Sequence, residues 1–185
     1  MIYSLPYTVE IDGKEYRIRN NCDYRVVLDV IEALNDPELT DEERGKCALF
    51  IFYGDELNNI TNIDEAVKQM IYIINGGEND NEPQTEKPKL MDWQQDFKYL
   101  APPISRVLGY DVRTPDRFTH WYTWLGGYME VGECTFSTIV SIRSKKAKGK
   151  KLDKWEQEYY REHKKIIDFP TVLTAEEEEY LNADW

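Results

Sequence analysis

Two histidines and a pair of neighbouring aspartates are the side chains best suited to acid–base or metal chemistry. His120 and His163 form neither an HxxxH nor an HExxH pattern, the spacings that place two metal ligands on one helix face. The aromatic neighbours of His120 favour a structural role, and the charged neighbours of His163 favour exposure to solvent. Asp92 and Asp96 are four residues apart, so on a helix they could bind a cation or act as acid and base. Acidic residues also favour the first turn of any helix, and we prefer that interpretation.

The sequence lacks the short motifs of nucleotide-binding and hydrolytic enzymes. None of the patterns GxGxxG, GxxxxGK[ST] and GxSxG occurs. Cys22, Cys47 and Cys134 contain no CxxC pair, and their odd number argues against a disulfide framework and a structural zinc site. We therefore expect no enzymatic activity, no cofactor and no metal site. Reduced cysteines are typical of intracellular proteins.

The overall charge argues against general binding to nucleic acid. Asp and Glu number 35 against 23 Lys and Arg, which gives a net charge of -12. A protein that binds nucleic acid by its charge needs a positive face to replace the counterions of the phosphates. The acidic balance does not exclude a local basic patch, and the chain contains one.

The segment RSKKAKGKK, residues 143–151, is strongly basic. Three interpretations remain open: a solvated loop, a docking site for an acidic partner, and a contact with nucleic acid. The acidic partner could be Glu176–Glu179 of another copy of the chain. Trp155 and the pair Tyr159 and Tyr160 could stack on bases, although their helical spacing favours core positions. The basic side chains are Arg143, Lys145, Lys146, Lys148, Lys150 and Lys151.

The N-terminal half contains signals for a β-hairpin and several helices. Apolar and polar residues alternate on both sides of Asp12-Gly13, a dipeptide that favours the two-residue turn of a hairpin. Asp23, Thr40 and Asn62 each precede a segment with apolar residues at helical spacing, and the last two have a Glu three residues later. We therefore predict one small hairpin followed by three helices.

The C-terminal half is also predicted to be helical. Leu90–Leu100 has a helical pattern, and Pro102-Pro103 should break or kink the helix at that point. Thr114-Pro115-Asp116 has the features of a helix start, which predicts a helix running through the aromatic segment FTHWYTWLGGYME. A short helix around Phe136–Arg143 comes next, and Asp153 is expected to cap a further one that Pro170 ends.

Together these elements predict a mainly α protein with a multi-helix fold and a small N-terminal β-hairpin. The expected divisions are the hairpin with its helices at 1–75, a flexible linker or loop at 76–89, a helical C-terminal half at 90–170, and an acidic tail at 171–185. One compact domain, with the linker as a surface excursion, remains an alternative. Thr174 and Glu177 suggest that the tail begins a further helix.

A glycine pair inside the aromatic helix is the second candidate for partner recognition. Gly126 and Gly127 each cost about 1 kcal/mol relative to alanine in a helix interior. Such a pair marks a kink or a close backbone approach, or else a notch into which a partner docks. The hypothetical partner-binding surface comprises Trp121, Trp124, Gly126, Gly127, Arg143, Lys145, Lys146, Lys150 and Lys151.

Three segments together resemble a known family of long-tailed phage proteins. The stretch from THWYTWLGGYMEVGECTFSTIVSIR to EYYREHKKIIDF, residues 119–169, is similar to the C-terminal part of the bacteriophage gene-product-fifteen proteins. The preceding LMDWQQDFKYLAPPISRVLGYDV and the N-terminal LPYTVEIDGKEYRIRNNCDYRVVLDV resemble the earlier parts of that family. The resemblance covers most of residues 5–169.

The resemblance implies a role in the assembly of phage tails. Genes of this kind typically lie between those for the major tail protein and the tape measure protein, a position typical of tail-assembly chaperones. It implies binding to the tape measure protein and other tail-assembly proteins in the cytoplasm of the bacterial host, and absence from the mature virion. A homo-oligomer is left open, because the sequence does not reveal the oligomeric state. Two alternatives are a minor structural component of the tail and a nucleic-acid-binding regulator that uses residues 143–151.

The sequence gives no indication of membrane association. Its beginning, MIYSLPYTVEIDGKEY, lacks the basic start and apolar run of a signal peptide. No stretch approaches the roughly 20 apolar residues that a membrane-spanning helix requires. We therefore expect a cytoplasmic protein.

Overall fold

The computed structural model of the chain describes residues 4–79 and 88–170. Within these residues the chain forms one two-stranded antiparallel hairpin and seven α-helices, which confirms the predicted fold class. The strands are β1 Thr8–Ile11 and β2 Lys14–Arg17, and the helices are α1 Tyr24–Asn35, α2 Asp41–Tyr53, α3 Ile63–Ile74, α4 Trp93–Leu108, α5 Trp121–Met129, α6 Thr135–Ala147 and α7 Lys154–Ile167. Short 3-10 turns occupy Arg19–Asn21 and Gly54–Asn59. None of the described helices is long and apolar enough to cross a membrane.

The hairpin forms at the dipeptide that predicts it. Asp12 and Gly13 have φ angles of 51° and 76°, the left-handed conformation that a tight hairpin turn requires at both central positions. Val9 pairs with Tyr16 across the strands, and both side chains are buried. The hairpin packs on α3, which supplies the apolar cover that an isolated hairpin lacks.

The predicted caps fix the starts of four helices. The side chain of Asp23 accepts a hydrogen bond from the backbone N–H of Arg25 at the start of α1. Thr40 forms a reciprocal capping box with Glu43 at α2, and Asp153 forms one with the third residue of α7. Asn62 accepts a hydrogen bond from a backbone N–H in the first turn of α3. Each cap satisfies backbone donors that the helix itself leaves without a partner.

The described residues divide into two compact units. Unit 1 contains the described residues of 1–86 and 98–132, and unit 2 contains those of 87–97 and 133–185. Helix α4 contributes residues to both units. The predicted boundaries around 76–89 stay a prediction because residues 80–87 lie outside the described part of the chain. The acidic tail at 171–185 and its predicted capping box at Thr174 and Glu177 also lie outside it.

Unit 1 is built around the pairing of α1 with α2. Helix α5 packs on α1, and α3 packs on α2. The largest fully buried side chains include Phe52, Met70 and Trp124. Burying an apolar side chain of this size contributes about 1.5–3 kcal/mol relative to leaving it exposed. Unit 2 has a smaller core between α6 and α7, in which Ile139, Ile142 and Ile167 are fully buried.

Helix α4 continues through both of its prolines, so the predicted break there is wrong. Pro102 and Pro103 lie inside the helix, which runs to Leu108. Two prolines remove two intrahelical donors and destabilise the helix locally. Leu100, Ala101 and Ile104 are fully buried around them, and this packing offsets the lost hydrogen bonds.

The aromatic helix begins later than its sequence predicts. Thr114-Pro115-Asp116 lies in a turn, and α5 starts only at Trp121. The chain before α5 is extended instead, because long-range backbone bonds hold it against α1. The N–H of Tyr24 donates to the carbonyl of Thr119 at 2.9 Å, and the N–H of Trp121 donates to the carbonyl of Cys22 at 2.8 Å. These tertiary bonds outweigh the local preference for a helix start.

Candidate partner-binding surfaces

His120 caps the start of α5 and is buried. Its Nδ1 accepts a hydrogen bond of 3.0 Å from the backbone N–H of Tyr122. The proton must therefore sit on Nε2, which donates to the carbonyl of Pro6 at 2.9 Å. Burial lowers the pKa of the imidazole, although the contact with Pro6 and the charge of Asp23 oppose the shift. Both ring nitrogens are occupied by backbone groups, so His120 has a structural role.

Trp121 and Trp124 are core residues, and the prediction that they face a partner is wrong. Their side chains belong to residues that are only 2% and 0% exposed. The indole N–H of Trp121 donates to the carbonyl of Ile74 at 3.1 Å. Trp124 stacks between neighbouring rings, with centroids 5.3 Å from Trp121, 5.6 Å from Tyr24 and 5.9 Å from Tyr128. The aromatic cluster holds α5 against α1 and α3 and is not available to a second protein.

The two glycines of α5 have different surroundings. A Cβ added to the buried Gly127 would lie 3.1 Å from Cγ2 of Ile104 and 3.2 Å from Cγ of Leu108. Gly127 therefore allows α4 to pack closely on α5, as in the packing interpretation of the pair. Gly126 is exposed, and a Cβ there would meet nothing within 4 Å. Of the two glycines, only Gly126 is at the surface. No contact in unit 1 explains why a glycine occupies that position.

Arg143 is not part of an exposed basic patch, which corrects the prediction for this residue. It is 5% exposed and forms two hydrogen bonds of 2.5 and 3.0 Å to the fully buried carboxylate of Asp96. Its guanidinium also donates to the carbonyls of Leu90, Ile166 and Ile167. A buried charge must be paired and hydrogen-bonded in this way to be tolerated. Arg143 thus ties four segments of unit 2 together.

The same ion pair removes the candidate cation site at Asp92 and Asp96. The Asp96 carboxylate is occupied by Arg143, and it also accepts the backbone N–H of Asp92 at 2.9 Å. Asp92 accepts from the ammonium of Lys89 at 2.7 Å. No group of three or more His, Cys, Asp or Glu side chains that could hold a metal occurs among the described residues.

Lys145 and Lys146 also have partners within unit 2. Lys145 forms an ion pair with Glu156, the residue that completes the cap of α7. Lys146 contacts both the carboxylate of Asp168, at 2.5 Å, and the hydroxyl of Tyr160, at 2.6 Å. Burial opposes ionisation of Asp168, but its bonds to Lys146 and Tyr160 outweigh that effect and lower its pKa. Lys145 thus joins α6 to the first turn of α7, and Lys146 joins it to the residue after α7, so both lysines are only partly available to a partner.

The remaining lysines of the basic segment are exposed and are held in a defined turn. Gly149 has a φ of +63°, and the backbone N–H of Lys150 donates to the carbonyl of Lys145 at 2.8 Å. With the bond from Gly149 to the carbonyl of Lys146, this is a Schellman motif at the end of α6. We define the basic surface as the exposed residues Lys148, Lys150, Lys151, Lys154 and Trp155.

An apolar stripe on α3 is a surface feature that the sequence pattern did not single out. Ile63, Val67 and Ile71 are 45%, 37% and 37% exposed, although their spacing of four residues places them on one side of the helix. The core side of α3 is formed by Ala66 and other buried residues instead. We call these three residues the α3 stripe. Scattered exposed apolar residues are common, but an aligned set on one helix is typical of a contact face.

A surface depression in unit 1 lacks the side chains of a reactive site. An open depression of about 450 Å³ in unit 1 is lined by Arg17, Arg19, Phe50, Asp55 and Glu56 among other residues, and its lining contains no His, Cys or Ser.

The cysteines give no reactive thiolate in the core. Cys22 is fully buried, and burial raises the pKa of its thiol to about 12, so the thiol stays protonated at neutral pH. Cys134 caps α6 through its sulfur, which accepts from the backbone N–H of Ser137. All three cysteines are free.

The fold and these surfaces describe a mainly helical protein with candidate contact faces on α3 and after α6. A family model for the Bacteriophage Gp15 protein matches residues 1–169. The chain therefore belongs to the bacteriophage Gp15 family, as its sequence resemblance indicates, and is a phage protein. Searches of curated proteins and of solved structures find no match to the chain.

Proposed function

We propose that this chain is a non-enzymatic tail-assembly chaperone that binds the tape measure protein during tail morphogenesis. It acts in the cytoplasm of the bacterial host, with other tail-assembly proteins and with further copies of itself, and is absent from the mature virion. Membership of the Gp15 family supports a role in the phage life cycle. The observation that carries the binding role is the exposed α3 stripe of Ile63, Val67 and Ile71.

The geometry of the stripe suits a helical partner. Its first and last members, Ile63 and Ile71, are eight positions apart along the helix, which corresponds to a length of about 12 Å. An amphipathic helix recognises such a face through apolar residues at matching i, i+4 and i+8 positions. A long helical protein such as the tape measure presents many segments of this type. The stripe therefore suits a partner helix that carries apolar residues at the same spacing.

The size of the stripe indicates that a single contact is weak. Fully burying one exposed aliphatic side chain contributes about 1.5–3 kcal/mol, so covering the remaining exposed area of three contributes roughly 2–3 kcal/mol. A dissociation constant of 1 mM already requires about 4 kcal/mol. Binding must therefore involve more surface of the chain or several copies along one tape measure molecule. Exposed apolar side chains elsewhere in unit 1, namely Tyr7, Phe50, Val107, Phe118 and Met129, are available for this.

The charge of the chain supports the same role. The net charge of -12 makes copies of the chain repel one another and keeps a coated partner dispersed. A tape measure protein covered by many acidic copies would be protected from aggregation through its apolar surface. Weak, reversible contacts would allow the copies to leave as the tail tube replaces them.

The nucleic-acid alternative has less support. Arg143, Lys145 and Lys146 are engaged within unit 2, which leaves half of the basic side chains of residues 143–151 free to contact phosphates.

The alternative of a retained tail component is decided by mass spectrometry of purified virions. The chaperone proposal predicts that the chain is missing from them, whereas a structural component would be present in a fixed copy number.

The test of the binding face uses paired variants on the same helix. We expect Val67→Ser with Ile71→Ser to reduce co-purification of the chain with the phage's own tape measure protein by about tenfold or more, because lost apolar burial at several copies accumulates. The matched control is Asp64→Ser with Lys68→Ser, which alters exposed polar residues of α3 and should leave binding unchanged. Equal binding by both variants, with circular dichroism confirming that both are folded, would exclude the α3 stripe.

A further inference from the structure

The charges of this chain are unevenly distributed. The described residues of unit 2 contain eleven Lys and Arg against eight Asp and Glu, a formal charge of +3, whereas the whole chain has a charge of -12. Residues 171–185 add five acidic side chains and no basic one. A positive unit therefore continues directly into a strongly negative segment.

The basic surface contains charges without an internal partner. Lys148, Lys150, Lys151 and Lys154 form no ion pair with another residue in 4–79 or 88–170. The Schellman motif after α6 and the cap of α7 fix the backbone on both sides of these lysines. Trp155 adds an apolar ring that is 59% exposed and stacks on Tyr159. A ligand for this surface should combine several carboxylates with apolar side chains.

The chain leaves the described structure close to this surface. Asp168 is bound by Lys146 and Tyr160, and the ring of Phe169 lies 4.1 Å from the guanidinium carbon of Arg143. The last described residues before the acidic segment are therefore held beside the last turn of α6, only a few residues before the basic surface. Five residues separate Pro170 from Glu176, and the six residue steps between them span up to roughly 20 Å in an extended chain.

We propose that residues 171–185 dock on the basic surface of the same chain. The carboxylates of Glu176–Glu179 pair with the free lysines, and the apolar side chains after them, including Leu181, cover the exposed ring of Trp155. Single surface ion pairs are weak. The short connection makes the contact intramolecular, at an effective concentration in the millimolar range, so several weak pairs are sufficient. Any acidic partner or nucleic acid would have to displace the segment.

Limited proteolysis of the full chain tests this docking. Trypsin cleaves after exposed lysines, so a docked segment protects Lys148, Lys150 and Lys151. The test variant is Glu176→Gln, Glu177→Gln, Glu178→Gln and Glu179→Gln combined. We expect its cleavage at these lysines to be about five-fold faster, which corresponds to a segment docked about four-fifths of the time. Cleavage after the exposed Lys14 serves as the internal standard and should not change.

The matched control neutralises four exposed glutamates of unit 1 that lie away from Lys14, by Glu32→Gln, Glu38→Gln, Glu78→Gln and Glu130→Gln combined. It has the same change in net charge and should retain wild-type protection. Equal cleavage of the wild type and both variants would overturn the proposal.

A carbodiimide cross-link between the glutamates and the lysines, in a mixture of ¹⁴N and ¹⁵N chains, should contain one isotope only. Mixed-isotope cross-links would overturn docking within one chain. Oligonucleotide binding that is equally tight in the wild type and in the test variant would assign the surface to nucleic acid instead.

Discussion

At the scale of single residues, Arg143 has the largest predicted effect on stability. Its side chain neutralises the fully buried Asp96 and bonds to three backbone carbonyls of unit 2. Arg143→Ala would leave a buried carboxylate without its counter-charge, which typically destabilises a protein by about 3–5 kcal/mol. Chemical unfolding measured by circular dichroism should detect this loss.

A double variant separates the buried charge from the packing. Arg143→Met combined with Asp96→Leu removes both charges and keeps most of the side-chain volume, so we expect it to be more stable than Arg143→Ala. An Arg143→Ala protein within about 1 kcal/mol of the wild type would show that the ion pair is unimportant to unit 2.

The buried His120 should make the free energy of unfolding depend on pH. Burial lowers its pKa in the folded state below the value of about 6.5 for an exposed imidazole. The unfolded chain therefore binds a proton more readily, and the stability that this residue contributes is present above pH 6.5. That contribution is lost as the pH falls below 6.5 and through the folded-state pKa.

The measurement compares the wild type with His120→Asn, which can still accept the capping hydrogen bond but does not titrate. The free energy of unfolding of the wild type should fall more steeply between pH 7 and 5. Parallel curves for the two proteins over this range would contradict the role assigned to the buried imidazole. The remaining titrating groups are common to both proteins.

At the scale of secondary-structure elements, the two glycines of α5 predict opposite effects. Gly126→Ala should raise the free energy of unfolding by about 0.5–1 kcal/mol, because alanine favours a helix and the new Cβ meets nothing within 4 Å. Gly127→Ala gains the same helix preference but presses against the fully buried Ile104, and overpacking costs about 1–3 kcal/mol. Thermal unfolding should therefore rank Gly126→Ala above the wild type and Gly127→Ala below it. The opposite ranking would show that α4 and α5 do not pack as described.

Some secondary-structure elements of this chain can be predicted from the local sequence, and others cannot. Asp12-Gly13, Thr40 and Asp153 act within a few residues of the chain, so the hairpin turn and two capping boxes follow from local pattern. The start of α5 and the continuation of α4 through Pro102 depend on contacts with distant segments. The residues next to these positions in the sequence do not indicate those contacts. The predicted start of α5 and the predicted break in α4 were therefore wrong.

The candidate site was less predictable than the fold. Trp121 and Arg143 have the residue types that interfaces favour, but the same types fill cores and form buried ion pairs. Sequence periodicity identifies α3 as amphipathic, yet it does not distinguish the covered side of its broad apolar face from the exposed side. The α3 stripe became visible only from the exposure of Val67 and its neighbours.

At the scale of the whole molecule, the positive charge and the α3 stripe belong to different units of the chain. Unit 1 carries the α3 stripe and most of the acidic excess, whereas the described part of unit 2 is positive. The proposed docking of residues 171–185 would neutralise that positive surface and make the chain uniformly repellent to its own copies. Such a protein can present an apolar face to one partner without precipitating with itself.

The most direct test of the chaperone role is co-expression of this chain with the tape measure protein of the same phage. Size-exclusion chromatography with light scattering then measures the mass of any complex. The chaperone account predicts that the tape measure is soluble only when the chain is present, in a complex with several copies per tape measure molecule. The Val67→Ser and Ile71→Ser double variant should lose this effect. A tape measure protein that stays insoluble beside abundant, folded wild-type chain, with no complex formed, would contradict the account.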